Sequence, residues 1–165
     1  MKQRVVTKQE NCSQCMVCGL ENESGLKASF FELENGEVVA IFRPHERHQS
    51  YPGRLHGGMA AAVLDETIGR AMKIKNKDAW SVTVELKMRY RKPIPLQEEV
   101  KAVGRITKDS SRLFEGTGEI VLNNGDVAVT AFGKYMKMPI GKIADSDRLK
   151  WQVTVSDDDP KEIDI

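Results

Sequence analysis

The sequence predicts an α+β fold in which one long helix packs against an antiparallel sheet. Between Gly57 and about Lys75, apolar residues recur at helical spacing with good helix formers between them. The segments on either side alternate apolar and polar residues, which is typical of strands with one buried face. The turn signal Asn124-Gly125 separates two of these segments and indicates an antiparallel hairpin.

The strands are predicted in chain order from their alternation and from the turns between them. The first hairpin joins residues 25–33 to 37–43 around Asn35-Gly36, and a type I′ turn is expected at Asn124-Gly125. The later strands are predicted at residues 80–91, 99–108, 112–122 and 126–138. In residues 81–91 the predicted buried face consists of Val82, Val84, Leu86, Met88 and Tyr90. Thr83 therefore falls on the opposite, polar face.

Composition and charge favour a single globular domain. The chain has 165 residues, of which 40% are hydrophobic, and this is enough for one core. A formal net charge of +1 gives no general attraction to nucleic acid or to a membrane surface. Residues 1–10 lack the apolar run of a secretory signal, so we expect a cytoplasmic protein with reduced cysteines.

Three regions follow from these patterns. Residues 1–17 are a polar N-terminal segment with a cysteine cluster, residues 18–139 form the domain, and residues 140–165 are a C-terminal tail. The tail loses the periodicity of the strands, so we expect it to be partly ordered at best. Residues 149–153 are the part of the tail that is expected to dock.

The segment His56-Gly57-Gly58 places a loop directly before the predicted helix. Glycine lets a ligand approach the backbone, and the free amides of a first helical turn attract developing negative charge. The pattern is typical of an oxyanion hole for a thioester carbonyl. The alternative is that the two glycines only let the loop and the helix pack closely.

Asp65 is the candidate catalytic carboxylate. Its neighbours at helical spacing are Ala61, Ala62, Ile68 and Gly69, so it has no charged partner on the helix, whereas Glu66 has Arg70 four residues on and is expected to form a surface ion pair. Gly57 and Asp65 are separated by roughly 12 Å along a helix. One carbonyl cannot contact both groups, so a site that uses both requires two antiparallel chains.

The chain resembles the PaaI-like hotdog thioesterases over roughly residues 12–138. The residues that carry the resemblance are Cys18-Gly19 to Leu26, His48 to Gly58, Leu64-Asp65-Glu66, Val82-Thr83-Val84 and Tyr90 to Pro93. The resemblance implies a hotdog fold, in which a curved antiparallel sheet wraps a central helix. It further implies a homodimer or homotetramer that hydrolyses acyl-CoA at its subunit interface, without a cofactor other than the coenzyme A of the substrate.

The same resemblance implies a role for four positions. Asp65 acts as nucleophile or general base, the Gly57 amide polarises the thioester carbonyl, and the Thr83 hydroxyl helps to hold water. Ser50 stands where relatives have an asparagine that orients water, a departure that bears on efficiency or acyl preference. His56 is a candidate general acid, but coenzyme A thiolate is a good leaving group, so a role in ordering the loop is the stronger interpretation.

Other residues are candidates for ligand binding. Gly58 is expected to bind substrate. The basic residues Arg89, Arg91 and Lys92 are expected to contact the coenzyme A phosphates, although a charged strand face is more commonly only solvated. The pattern Cys12-x2-Cys15-x2-Cys18 offers three zinc thiolates, with His45 or His48 as a fourth ligand. The family needs no metal, so we predict none and interpret these cysteines as buried packing residues.

Three rival functions remain. A hotdog hydratase or dehydratase would need a histidine on or facing the helix, whereas His45, His48 and His56 all precede it. A non-catalytic acyl-CoA-binding module would not need Asp65. A zinc-bearing nucleic-acid binder is disfavoured by the near-neutral charge. The acyl group is not predicted, because it depends on how Met59, Met72, Met88 and Phe114 pack.

Overall fold

The computed structural model describes residues 1–145 and 151–165. Its helices are α1 (Gly57–Arg70) and α2 (Ile140–Ile143), with 3-10 turns at Glu46–His48 and Ala71–Ile74. Its strands are β1 (Lys2–Lys8), β2 (Asn11–Cys12), β3 (Ser29–Leu33), β4 (Val38–Phe42), β5 (Ser81–Tyr90), β6 (Val100–Asp109), β7 (Leu113–Val121), β8 (Val127–Lys137), β9 (Trp151–Gln152) and β10 (Glu162–Asp164).

Eight of these strands form one antiparallel sheet in the order β10-β1-β3-β4-β6-β7-β8-β5. Helix α1 packs across it against strands β4 to β8. A large apolar core lies between the helix and the sheet, with Phe30, Leu64, Ile68 and Phe114 fully buried. The α+β prediction and its hotdog arrangement of one central helix on an antiparallel sheet are therefore confirmed.

Helix α1 is buried on several sides, as its apolar sequence predicts. Ala60, Val63, Leu64 and Ile68 have almost no exposed surface. The helix backbone also comes very close to β6, because a Cβ at Gly104 would lie only 2.8 Å from the Thr67 carbonyl oxygen. This close packing fixes the helix against the sheet and thereby fixes the direction in which its polar residues point.

The hairpin between β7 and β8 differs from the prediction in its turn type. Gly125 donates a hydrogen bond from its amide to the Leu122 carbonyl at 2.9 Å, and Leu122 donates to Asp126 at 2.9 Å. Positive φ in this turn is confined to Gly125, at +84°. The loop is thus a type I turn followed by a left-handed glycine, not the type I′ turn expected at Asn124-Gly125.

The predicted buried face of β5 is wrong at its first part. A β-bulge lies between Thr83 and Glu85, so Val84 is an extra residue that is 53% exposed. Thr83 pairs with Tyr135, and directly opposite residues of an antiparallel pair project from the same face. The bulge therefore reverses the alternation and turns Thr83 toward the helix, on the side of Leu86.

The segments outside residues 18–139 add strands to the structure. Strand β10 pairs with β1 at the far edge of the sheet, and β9 pairs with β2. Ile163 is 3% exposed because it covers Phe31 and Leu33, which face away from the helix. The end of the tail is ordered by this second apolar cluster, while residues 149 and 150 of the segment expected to dock lie outside the described residues.

None of the helices in residues 1–145 and 151–165 combines the length and the apolar character needed to span a bilayer.

Candidate active site

Asp65 is held by two hydroxyl groups from neighbouring strands at the end of the sheet. The Thr83 hydroxyl on β5 donates to Asp65 Oδ1 at 2.8 Å and also lies 3.1 Å from Oδ2. The Tyr135 hydroxyl on β8 lies 3.1 Å from Oδ1 and 3.0 Å from the Asp65 carbonyl oxygen. The carboxylate is thus fixed in direction without any cationic partner among these contacts.

Burial raises the pKa of the Asp65 carboxyl above its ordinary value. The hydrogen bonds from Thr83 and Tyr135 lower that pKa, whereas the nearby charge of Glu66 adds to the increase. Burial also raises the pKa of the Tyr135 hydroxyl, as does the adjacent carboxylate, so Tyr135 remains a donor. A carboxylate in this environment is more basic than one in water, as a nucleophile or general base requires.

A cavity of about 280 Å³ opens beside Asp65. Its walls include Thr83, Tyr135, Trp80 and Trp151, together with Cys15. The two tryptophan rings lie 5.3 Å apart, so this end of the cavity has an aromatic wall. The cavity is large enough to admit part of a small ligand next to the carboxylate.

The wall of this cavity also contains an ion pair that the sequence predicts at the surface. Arg70 does bond Glu66, from Nε to Oε1 at 2.9 Å. However, Arg70 is only 6% exposed and stacks on the Phe30 ring, 4.1 Å from its centroid. The prediction that this ion pair lies at the surface is wrong, because the face of α1 that carries Glu66 and Arg70 packs against the N-terminal segment. There the Glu10 carbonyl also accepts a hydrogen bond from Arg70.

Gly57 begins helix α1 and lies in a different cavity from Asp65. Within the described chain its amide has no acceptor, while its carbonyl accepts a hydrogen bond from the Tyr90 hydroxyl at 2.7 Å. The cavity has a volume of about 330 Å³ and is also lined by Arg91 and Lys92. One chain therefore presents a free helix-terminal amide and an oriented carboxylate in two separate cavities.

His56 is the N-cap of α1. Its Nδ1 accepts a hydrogen bond from the Gly58 amide at 2.8 Å, which satisfies one of the free donors of the first turn. The ring is exposed and makes no contact with Asp65 among the hydrogen bonds of the described residues. The geometry favours loop ordering over proton transfer for the His56 side chain. Because the Gly58 amide already donates to His56, that amide is occupied.

The remaining predicted residues are not gathered around Asp65. The Ser50 hydroxyl accepts a hydrogen bond from the Tyr51 amide at 2.6 Å, in the exposed loop before the helix. Lys92 pairs with Asp126 at 2.6 Å. Arg89 lines a shallow site on the outer part of β5, away from the cavity of Asp65. Of the predicted set, only Thr83 contacts Asp65 within one chain.

Tyr135 is a site residue that the sequence reasoning missed. It lies opposite Thr83 in the β5–β8 register, which is visible only once the strands are paired. One local signal was available, since a Cβ at Gly133 would lie 2.5 Å from the Tyr135 ring. A glycine two residues before a tyrosine in a strand leaves the space that such a ring occupies.

The cysteine cluster does not assemble with a histidine. The potential ligand atoms that lie close together in the described chain belong to Cys15, Cys18 and Glu66, all within 4.8 Å of one another. His48 is buried and bonds the Ser24 carbonyl through Nε2 at 2.9 Å. The alternative of three cysteine ligands with His45 or His48 as the fourth is therefore wrong, because neither histidine belongs to this cluster in the described chain.

The chain matches a family model described as the thioesterase superfamily over residues 52–129. It is 27% identical to human acyl-coenzyme A thioesterase 13 over 87 residues, which are 53% of this chain and 62% of that protein. It is 29% identical to mouse acyl-coenzyme A thioesterase THEM4 over 108 residues, which are 64% of this chain and 46% of that protein. The chain thus spans less than two thirds of the length of these relatives.

Solved structures give the same result for the fold. The crystal structure of a thioesterase superfamily protein has a TM-score of 0.68 and 29% identity, covering 74% of this chain and 59% of that one. The Escherichia coli PaaI protein has a TM-score of 0.62 at 14% identity and covers 68% of this chain and 80% of that one. At that identity the likeness to PaaI shows the fold alone.

Proposed function

We propose that this chain, which matches the thioesterase-superfamily model over residues 52–129 and has a PaaI-like hotdog fold, hydrolyses acyl-CoA thioesters. The products are the free acid and coenzyme A. The observation that carries the proposal is the half-buried Asp65 carboxylate, which is oriented by Thr83 and Tyr135 and faces an open cavity. The names of the matching relatives support the same substrate class.

Asp65 acts on the thioester carbonyl in one of two ways. As a nucleophile its carboxylate adds to the carbonyl carbon and expels the thiolate, and water then cleaves the mixed anhydride. As a general base it removes a proton from the attacking water instead. Thr83 and Tyr135 hold the carboxylate in position for either step, and Thr83 also lines the cavity beside it.

The Gly57 amide stabilises the negative charge that develops on the carbonyl oxygen. It has no acceptor within the described chain, and it stands at the positive end of α1. Because Gly57 and Asp65 line different cavities of one chain, a complete site requires Asp65 from one protomer and Gly57 from its partner. We therefore place hydrolysis at the interface of a homodimer.

The basic residues are assigned to the coenzyme A moiety. Arg91 and Lys92 line the cavity of Gly57, which places positive charge beside the proposed oxyanion hole. Their side chains and that of Arg89 are exposed, as contacts to solvated phosphates require. In this arrangement the acyl group enters the cavity of Asp65 on the other protomer.

The geometry disfavours the rival hotdog chemistry. A hydratase or dehydratase would need a histidine that exchanges protons with the carboxylate. His56 instead caps the helix, and His48 is buried against Ser24. A purely binding module would gain nothing from burying the charge of Asp65, because burial of an unpaired carboxylate costs stability.

The proposal is tested by measuring free thiol release from a panel of acyl-CoAs. The panel should include short, long and aromatic acyl groups, and the assay should compare wild type with Asp65→Asn. We expect turnover of at least one thioester by wild type and a loss of about 100-fold or more in Asp65→Asn. Asp78→Asn, on an exposed loop, is the matched control and should keep full activity. Equal rates for wild type and Asp65→Asn would contradict the proposal.

A further inference from the structure

The hydrolytic mechanism leaves one cluster of reactive groups in the described chain unused. Cys15 and Cys18 lie on a tight turn of the N-terminal segment, next to Glu66 of α1. The turn is closed by the Gly19 amide, which donates to the Cys15 carbonyl at 2.9 Å. A Cβ at Gly19 would lie 2.3 Å from that carbonyl oxygen, so only glycine permits this turn. Its effect is to bring two thiols within 4.8 Å.

We propose that Cys15 and Cys18 form a redox-active dithiol that exchanges with low-molecular-weight disulfides. The two sulfur atoms lie within 4.8 Å of each other, so a disulfide forms if rotation of the side chains brings them into contact. The proposal concerns a covalent site that is separate from acyl-CoA hydrolysis. It does not depend on whether the proposed function is correct.

Cys15 is the attacking thiol. Its Sγ accepts hydrogen bonds from the Val17 amide at 3.3 Å and the Cys18 amide at 3.5 Å, and two amides directed at one sulfur favour the thiolate. The Cys15 thiol in turn donates to Glu66 Oε2 at 3.2 Å. The hydrogen bond with the Cys18 thiol lowers the pKa of Cys15, whereas burial and the charge of Glu66 oppose this effect, and the net direction is downward. Cys15 also lines the open cavity beside Asp65, so a small disulfide can reach it.

Cys18 is the resolving thiol. It is fully buried, and its sulfur accepts a hydrogen bond from the Cys12 amide at 3.4 Å. The neighbouring Cys15 raises the pKa of Cys18 as long as both sulfurs are reduced. Burial and the charge of Glu66 also raise the pKa of Cys18, whereas the buried Arg70 guanidinium lowers it. Once Cys15 is joined to another sulfur, the largest of the effects that oppose ionisation of Cys18 is gone, and Arg70 stabilises the attacking thiolate.

The exchange is balanced in two steps. The Cys15 thiolate attacks one sulfur of the small disulfide, whose S–S bond breaks and releases one thiolate. The Cys18 thiolate then attacks Cys15 Sγ and releases the second thiolate, and the two protons of the cysteines pass to the released thiols. The protein dithiol is oxidised and the small disulfide is reduced to two thiols.

Charge distinguishes this role from metal binding. The cluster already contains the positive charge of Arg70, which is 6% exposed and bonds Glu66. A divalent cation between Cys15, Cys18 and Glu66 would be placed close to that guanidinium and would compete for the same carboxylate. A thiolate, by contrast, is stabilised by the same positive charge.

The proposal is tested by incubating the full-length protein with glutathione disulfide, blocking free thiols and measuring intact and peptide masses. We expect a Cys15–Cys18 disulfide, with a mass lower by about 2 Da, that is reversed by dithiothreitol. Cys12→Ser is the matched control in the same segment and should behave like wild type. Cys18→Ser should stop at a glutathione adduct on Cys15, formed about tenfold faster than any adduct on Cys12.

A second readout does not require a variant. The chain has two tryptophans, and both Trp80 and Trp151 line the cavity with Cys15. Their emission should therefore change in step with formation of the disulfide in wild type. Absence of a Cys15–Cys18 disulfide in the peptide map would overturn the proposal, as would purified protein that carries about one zinc per chain on these thiols.

Discussion

At the scale of single residues, the candidate site depends on the environment of Asp65. Its two hydroxyl partners favour the ionised form, whereas burial favours the protonated form, and the balance leaves the pKa above its ordinary value. Since hydrolysis requires the ionised carboxylate, the rate should fall as the pH decreases through that raised pKa. The hydrogen bond from Thr83 is the contact that can be removed with least change in shape.

Thr83→Val should shift the acid limb of the pH–rate profile to higher pH. Removal of the hydroxyl removes a hydrogen bond that stabilises the charged form, so the pKa of Asp65 rises further. We expect kcat/KM at a fixed pH on the acid limb to fall by about tenfold, with recovery at higher pH. The measurement is kcat/KM against pH, and Thr117→Val on β7 is the control. An acid limb that stays in place or moves to lower pH would contradict this role of Thr83.

At the scale of secondary-structure elements, the start of α1 determines how its first amides are used. His56 occupies the Gly58 amide, and this leaves the Gly57 amide free. The His56 side chain is therefore expected to stabilise the helix and not to transfer a proton.

His56→Ala should lower the free energy of unfolding by about 1 kcal/mol through loss of the cap. His56→Asn should keep most of the stability, because asparagine is a good N-cap residue. Urea denaturation measures the stability, and thiol release from the best acyl-CoA measures the activity. If His56→Asn is as stable as wild type but has lost most of its kcat, the imidazole takes part in the reaction and the capping role is insufficient.

The elements also show how far the sequence alone could reach. Periodicity predicted α1 and the strands β3 to β8 to within a few residues, because each has a face buried in the core between the helix and the sheet. It could not predict the bulge at Val84, since an extra residue in a strand leaves no mark on local composition. As a result, the alternation places Thr83 on the polar face, which is wrong. The family resemblance instead places Thr83 beside Asp65, and the structure has the two side chains hydrogen-bonded.

Other features depended on contacts between distant parts of the chain. Tyr135 reaches Asp65 only through the pairing of β5 with β8. Ile163 is ordered because Phe31 and Leu33 on β3 need cover on the outer face of the sheet. Single-residue patterns do not give either pairing, and Gly133 indicates only that a nearby ring needs space, so the second hydroxyl of the site and the C-terminal strand were not predicted.

At the scale of the whole molecule, β5 is an edge strand of the eight-stranded sheet. It carries the exposed apolar residues Val84 and Tyr90, 53% and 51% exposed, on an edge that has no partner strand in the described chain. An open edge of ten residues is a surface suited to pairing with a second copy. Tyr90 at one end of β5 contacts Gly57, and Thr83 near the other end contacts Asp65, so antiparallel pairing of two β5 strands would bring the cavities of Gly57 and Asp65 from different protomers next to each other.

Gly57→Pro isolates the amide in this arrangement. Gly57 is the first residue of α1, where proline is well tolerated, and His56 has the extended φ and ψ of −63° and 133° that a following proline requires. Its amide has no acceptor in the described chain, so the substitution removes the proposed oxyanion donor without breaking a hydrogen bond. Gly57→Ala keeps the amide and meets the Tyr90 ring at 3.4 Å, so it is the matched control.

The most direct test of a site shared between two chains is complementation between Asp65→Asn and Gly57→Pro. Each variant alone should be inactive. Each heterodimer would contain one intact site, so random subunit exchange should restore about a quarter of wild-type thiol release. Native mass spectrometry, which resolves the two subunit masses, verifies the exchange. Heterodimers that form but show no more activity than the separate variants would contradict the shared site.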